Sequence, residues 1–485
     1  MLAILVVTIV LCCLYLASRK PRGFPPGPAR LPLLGYLPFM EPKHPHKQLW
    51  RLSSTYGPVV GLFFGNQPTV IVNGWHAVKE ALLNDDLNGR PENPFIKLRD
   101  GGEYTGVMFT QHDLWKEQRR FTLHHLRNLG VGKRSHQTII HEEAQDLISE
   151  IQEADHSVNL KEMLGVSSIN ILWAVMGGSR FPPHHPVLLK LVQDLTFMFR
   201  AGEATGGVVS VFPALRHLLP KSSTFHVVMD VMFSVRDFIK RSVQEHRETL
   251  DPHSPRDFMD IYINEINNTC HNSHNTFTEK QLAGLCMDLF TAGSDSNSTT
   301  LCFAVLLATL HPEALAALHH ELDRVVGHAC LPGLDHRAKL VYVEATLMEV
   351  HRMRAVTPIC VPHCALRDTT LQGRRIPEGT TVLCNLYSVH MDQDYWGDPD
   401  TFRPERFVNP DGSLRRDERL ISFGKGRRMC LGKPLARMTT FLLFSALMQR
   451  FTFSLDPEVP VPDTEGKLGF VLLPPEFKVF ARSRF

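Results

Sequence analysis

Residues Phe423 to Gly432 read Phe-Gly-Lys-Gly-Arg-Arg-Met-Cys-Leu-Gly, three glycines and three basic side chains around the single thiol of Cys430. An apolar run over 435–451 follows at once and predicts a helix beginning just after the cysteine. A thiol placed there meets unpaired backbone N–H groups and the positive end of the helix dipole. Both favour the thiolate, as do neighbouring arginines. Glycines let the backbone approach a flat ligand closely. Such a thiolate suits a metal ligand, a nucleophile or a redox sensor; an inert buried thiol has no need of this polar setting.

A second candidate lies in the longest predicted helix. Thr278-Glu279-Lys280-Gln281 has the form of a capping box, and Pro312 marks the stop after Leu310. The interval predicts a helix of about 45 Å, enough to cross a domain. Its middle, Ala292-Gly293-Ser294-Asp295-Ser296-Asn297-Ser298-Thr299-Thr300, is built from poor helix formers and one charge. Two readings stand level here: a loop between two helices, or a loosened turn whose carboxylate and hydroxyl line a cavity.

These residues must be positioned by the rest of the chain. The pattern over 59–72, with Gly65-Asn66 at its centre, predicts a β-hairpin. Most segments between Leu114 and Leu347 read as helix, and strands return over 376–386 and 468–479. The expected fold is mainly α with small β-sheets (α+β), in one large domain over 36–485. Residues 19–35, rich in basic residues and prolines, predict a stiff hinge. Before them, Met1–Ser18 carries no charge and is followed by Arg19, Lys20 and Arg22. As a helix it would span about 27 Å, enough for a membrane anchor with the basic flank and the catalytic bulk on the cytosolic side.

Composition narrows the partners. A formal net charge of +2 over 485 residues gives no reason to expect nucleic acid. The 10 cysteines form no CxxC pair, which speaks against a zinc ribbon or a thioredoxin-type site and for a reducing compartment.

The cysteine segment resembles the haem-binding signature of the cytochrome P-450 superfamily, with Phe423, Gly426, Arg428, Cys430 and Gly432 in the signature's places. Three more motifs stand in that family's order: Glu349-Val350-His351-Arg352, Pro404-Glu405-Arg406-Phe407 and Ala292-Gly293-Ser294-Asp295-Ser296. The resemblance runs from the proline-rich segment to the C-terminus and is greatest to arthropod microsomal members. It implies haem b with Cys430 as axial thiolate, and a buried Glu349–Arg352–Arg406 cluster supporting the cysteine loop. It also implies that Trp115, Arg119, His363 and Arg428 hold the haem propionates, with Phe423 beside the cysteine. Asp295 and Ser296 would manage proton delivery to bound dioxygen. Here the chain departs from its relatives, most of which have threonine where Ser296 stands and often another at Asn297. Serine keeps the hydroxyl but lacks the methyl that restricts its rotamers.

No flavin or nicotinamide segment is visible, so electrons from NADPH are expected through NADPH–cytochrome P-450 reductase, with cytochrome b5 as a further partner. Lys116, Arg120, Lys425, Arg427, Lys433 and Arg437 could dock an acidic protein. The segments that form substrate pockets in the family are rich in Phe, Leu, Met and Val here, implying a small lipophilic substrate. The expected activity is hydroxylation or epoxidation by a monooxygenase of the endoplasmic reticulum, with a sesquiterpenoid hormone precursor as one substrate class. General oxidation of lipids or xenobiotics is the competing one. A haem-thiolate isomerase or dehydratase, or a non-catalytic haem protein, would have no use for the acid–alcohol turn.

Overall fold

Gly65-Asn66 closes the expected hairpin as a two-residue turn: β1 (Val59–Phe64) pairs antiparallel with β2 (Gln67–Val72), Val59 opposite Val72. The computed structural model describes residues 20–485 apart from 155–156, 183, 203–206 and 272–274. Two later strands, β3 (His363–Cys364) and β4 (Thr381–Cys384), complete a four-stranded sheet in the order β1-β2-β4-β3. β4 runs parallel to β2 and antiparallel to β3. A separate antiparallel pair joins β5 (Phe451–Leu455) to β6 (Val479–Ser483). Residues 20–35, expected as a hinge, lie along the hairpin: Gly61 donates its N–H to the Pro26 carbonyl at 2.7 Å, and Phe24 is buried against Phe63. Met1–Ser18, expected as an anchor, falls outside the described residues. Among the described residues no single helix is long and apolar enough to cross a membrane.

Helices dominate the rest. Those used below are α1 (Pro94–Arg99), α2 (His112–Asn128), α3 (Gln137–Glu153), α4 (Leu160–Met176), α5 (Pro186–Ala201), α6 (Thr224–Glu248), α7 (Phe258–Thr269), α8 (Glu279–Leu310), α9 (Pro312–Val325), α10 (Val341–Met353) and α11 (Lys433–Arg450). At the start of α8, the Gln281 N–H donates to the Thr278 hydroxyl at 3.1 Å, as a capping box requires. The Gln281 amide does not return the bond. It clamps Gly106 instead, donating to the carbonyl and accepting from the N–H, so half the box ties α8 to the loop before α2.

α8 runs unbroken for 32 residues, which excludes the two-helix reading. It crosses two cores. Its last turns, from Leu301 to Ala308, pack with α3, α9, α10 and α11; its first turns, from Leu282 to Phe290, pack with α5, α6 and α7. The polar stretch over 291–300 falls between the two. Gly293 is placed there because a Cβ would press on Leu172 of α4.

Candidate active site

Cys430 lies in a loop shaped by backbone bonds. Its N–H donates to the Phe423 carbonyl at 2.9 Å, and Gly424 and Gly426 both take φ near +75°. At Gly426 any Cβ would overlap the Leu82 carbonyl oxygen, so only glycine fits. The Phe423 ring meets the edge of His351 on α10 at 5.1 Å, which braces the loop from behind. Burial by itself pushes the Cys430 thiol up. The expected stabilisers are nonetheless in place and pull the other way: the N–H groups of Gly432 and Lys433, and the charges of Arg119 and Lys433. A coordinating metal deprotonates such a thiol outright.

Cys430 is deep in the protein yet has exposed surface, and the same holds for Ala292 in the otherwise buried middle of α8. Ser296, one turn on from Ala292, is partly exposed, with its hydroxyl donating to the Ala292 carbonyl at 2.9 Å. Asp295 faces elsewhere, because one residue along a helix turns the side chain by about 100°. Its carboxylate is buried and accepts from Lys161 of α4 at 2.5 Å. Thus the acid and the alcohol are adjacent on α8 but do not share a face.

Cations gather at one edge of the site. Arg428 stacks on Trp115 at 3.9 Å and donates to the carbonyls of Asn88 and Thr110. Arg119, one turn along α2, donates to the Met429 carbonyl. Arg90 is buried and spends its guanidinium on the carbonyls of Met108, Val361 and Pro362. Among the described residues none of the three has a carboxylate within ion-pairing distance, and one Arg428 nitrogen is buried with no partner. Desolvation, then repulsion from Arg90 and Arg119, depresses Arg428 to about 8. Buried cations without counter-charges are costly, so the cluster fits a bound group carrying anionic arms. His363 sits with them on β3, its Nδ1 within 2.9 Å of the Leu87 carbonyl. Burial and the charge of Arg90 press it down to about 3, so it is neutral and offers an anion a donor only after taking up a proton.

Behind the loop, the Glu349 carboxylate accepts both Nε and a terminal nitrogen of Arg352 (2.7 and 2.8 Å) and the Nε of Arg406 (2.8 Å). Glu349 and Arg352 have no exposed side-chain surface and Arg406 only 4%, so the ion cluster is buried as expected. Apolar side chains gather in the core that the first turns of α8 enter. Phe470 meets Phe95 of α1 and Phe199 of α5, and Val107, Val356 and Leu289 pack against the same core.

Two residues of the site were not visible in the sequence. Arg90 stands in an ordinary Gly-Arg-Pro run, and Lys161 resembles any surface lysine in the first turn of a helix. Neither local pattern signals burial.

A family profile described as Cytochrome P450 matches residues 25–481. Cytochrome P450 2C44 of Mus musculus is 34% identical over 486 residues, covering 99% of this chain and 97% of its own length. Farnesoate epoxidase of Bombyx mori is 31% identical over 492 residues, covering 100% and 99%. Cytochrome P450 2L1 of Panulirus argus is 33% identical over 480 residues, covering 97% of each. Proteins of this family carry haem on a cysteine thiolate and draw electrons from NADPH. The chain belongs to the cytochrome P450 family and is a haem-thiolate monooxygenase.

Proposed function

We propose that Cys430 is the axial ligand and that the enzyme inserts one oxygen atom of O2 into a small lipophilic substrate, by hydroxylation or epoxidation. What supports the reading is one feature: beside the Cys430 loop, Arg119 and Arg428 stand without a carboxylate partner among the described residues, and one buried Arg428 nitrogen has no hydrogen-bond partner. Bound there, haem activates dioxygen, and thiolate ligation pushes electron density onto the iron. Trp115, Arg119, Arg428 and Arg90 would hold the propionates, with His363 joining once protonated. The Ser296 hydroxyl would turn from the Ala292 carbonyl toward the bound group and supply a proton at Oγ, drawing on Asp295. Phe95, Phe199 and Phe470 would exclude water around the substrate.

Farnesoate is the substrate to test first, because a relative similar over its whole length is named for its epoxidation. Oxidation of other lipids or xenobiotics is the competing outcome of the same assay. Electrons would arrive through NADPH–cytochrome P-450 reductase, with cytochrome b5 as a second donor. Of the six cations expected to dock it, Lys116, Arg427 and Arg437 already pair with Asp113, Asp85 and Glu344. Arg120, Lys425 and Lys433 have no such partner among the described residues, which makes them the better docking candidates.

We place the chain in the endoplasmic reticulum membrane through residues 1–18, followed by the 19–35 linker and a cytosolic catalytic domain over 36–485. Of two glycosylation sequons, Asn297 is buried and Asn267 is exposed, so Asn267 is the reporter of topology and should stay unmodified.

The deciding measurement is the carbon monoxide difference spectrum of the reduced protein. Wild type should show the strongly red-shifted Soret band of a thiolate complex, and Cys430→Ala should lack it. Haem-replete wild type without that band would remove Cys430 and the mechanism together.

A further inference from the structure

Lys161 has no place in the acid–alcohol pair, yet it is the residue that holds Asp295. Its ammonium donates to the Asp295 carboxylate (2.5 Å), the Ser298 hydroxyl (2.9 Å) and the Thr299 hydroxyl (2.8 Å), all within one turn of α8. An ammonium has three donors, and all three are spent there. Thr299 Oγ1 also lies 3.2 Å from the second carboxylate oxygen, so both oxygens of Asp295 are engaged.

Helix stability does not account for this lysine. It stands in the first turn of α4, where the dipole disfavours a cation. Nor does it serve as an exposed solubilising charge, since only 12% of its side chain reaches solvent. Lys161 is partly accessible and holds Asp295, while Ser296, the next residue, is partly accessible about 100° away around α8. The lysine therefore determines which way the carboxylate points.

We propose that Lys161 is a positioning residue for oxygen activation, fixing the Asp295 carboxylate in one orientation between solvent and Ser296. The proposal rests on the reading of Asp295 and Ser296 as the proton-delivering pair. An acid whose two oxygens are each held, one by Lys161 and one by Thr299, replenishes the alcohol in register with the reaction; an unlocked one leaves reduced oxygen to escape as hydrogen peroxide. Charge and reach are what the role needs, so arginine can replace lysine and methionine cannot.

Two readouts test it, the first independent of turnover. The haem-loaded protein is treated with acetic anhydride, and acetylation of Lys161 is followed by peptide mass spectrometry against exposed Lys221. Asp295→Asn should speed labelling of Lys161 about tenfold, the weight of one charge-assisted hydrogen bond. Labelling of wild-type Lys161 at the rate of Lys221, unchanged in Asp295→Asn, would overturn the clamp. In the second, hydrogen peroxide released per NADPH is measured with reductase and farnesoate or lauric acid, whichever shifts the Soret band. Lys161→Met should raise the ratio several-fold with its carbon monoxide spectrum unchanged, and Lys161→Arg should restore it. If Asp295→Asn uncouples and Lys161→Met does not, the lysine is only a tie between α4 and α8 and the inference falls alone. If Asp295→Asn also couples like wild type, the reading of the acid–alcohol pair falls with it.

Discussion

Replacing Glu349 should damage the protein more than replacing either arginine it binds, and the contacts give the size of the difference. Glu349 accepts from Arg352 twice, from Arg406 once and from the Arg403 N–H at 3.1 Å. In Glu349→Gln the Arg406 guanidinium keeps the Asp398 carboxylate at 3.2 Å and carbonyls of Trp396, Asp398 and Thr401. Arg352 keeps the neutral carbonyls of His390 and Pro399, a weak contact to the Met391 sulfur and the face of Trp396, none of them a counter-charge, with no exposed surface through which water could help. One buried charge is stranded, at a cost of about 3–5 kcal/mol. In Arg406→Met, by contrast, Glu349 retains its two-point bond to Arg352 and loses one charge-assisted hydrogen bond, about 1.5–3 kcal/mol. Glu349→Gln should therefore be the less stable by about 2 kcal/mol, the difference between those two ranges. Guanidinium chloride unfolding of the haem-loaded proteins, followed by tryptophan fluorescence, measures it. If unfolding is irreversible, unfolding rates under one condition replace midpoints. Arg406→Met proving as damaging as Glu349→Gln, or Glu349→Gln lying within about 1 kcal/mol of wild type, would refute the idea that Glu349 compensates two buried charges at once.

Two further outcomes follow from the site. Gly424 and Gly426 share a left-handed backbone, but only Gly426 faces a carbonyl that a Cβ would strike. Gly424→Ala should cost about 1–2 kcal/mol and keep its haem, whereas Gly426→Ala should lose haem, read as the ratio of Soret to protein absorbance. Arg90→Met and Arg428→Met should each speed haem transfer to apomyoglobin about 10- to 100-fold, the worth of one bond to a carboxylate. Arg427→Met, whose guanidinium pairs with Asp85 at the exposed surface, should leave that rate unchanged.

Much of this architecture was legible because local chemistry and tertiary role agree. Gly65-Asn66 can only turn, so the hairpin and its register follow from two residues. Thr278 and Pro312 bracket α8 for reasons that act within a few residues. The middle of α8 was ambiguous because propensity and packing disagree there. Residues 291–300 are poor helix formers, but α8 is embedded in a core on either side, and those two cores carry the helix across the gap. Around Cys430 the backbone N–H groups and the arginine can be read from sequence, whereas the desolvation that opposes them belongs to the folded interior.

Arg90 and Lys161 show where local reading ends. Each is a common cation in an unremarkable run, and each is singled out only by what lies opposite: the arginine and histidine cluster around Trp115 for one, the carboxylate of Asp295 for the other. The chain separations are large, 134 residues from Lys161 to Asp295, so no motif spacing could have joined them. The sequence offered an asymmetry in their place. Asp295 is the sole charge in a buried polar stretch, and a buried carboxylate requires a counter-charge from somewhere. That requirement predicts that a cation exists without saying where; Lys161 answers it from α4, the helix whose Leu172 side chain lies against Gly293. The packing at Gly293 and the Lys161–Asp295 bond join the same two helices. A bulkier residue at 293, Gly293→Val for instance, should push the helices apart and free Lys161 for acetylation as Asp295→Asn does, while slow labelling in that variant would show that the clamp does not depend on the close approach.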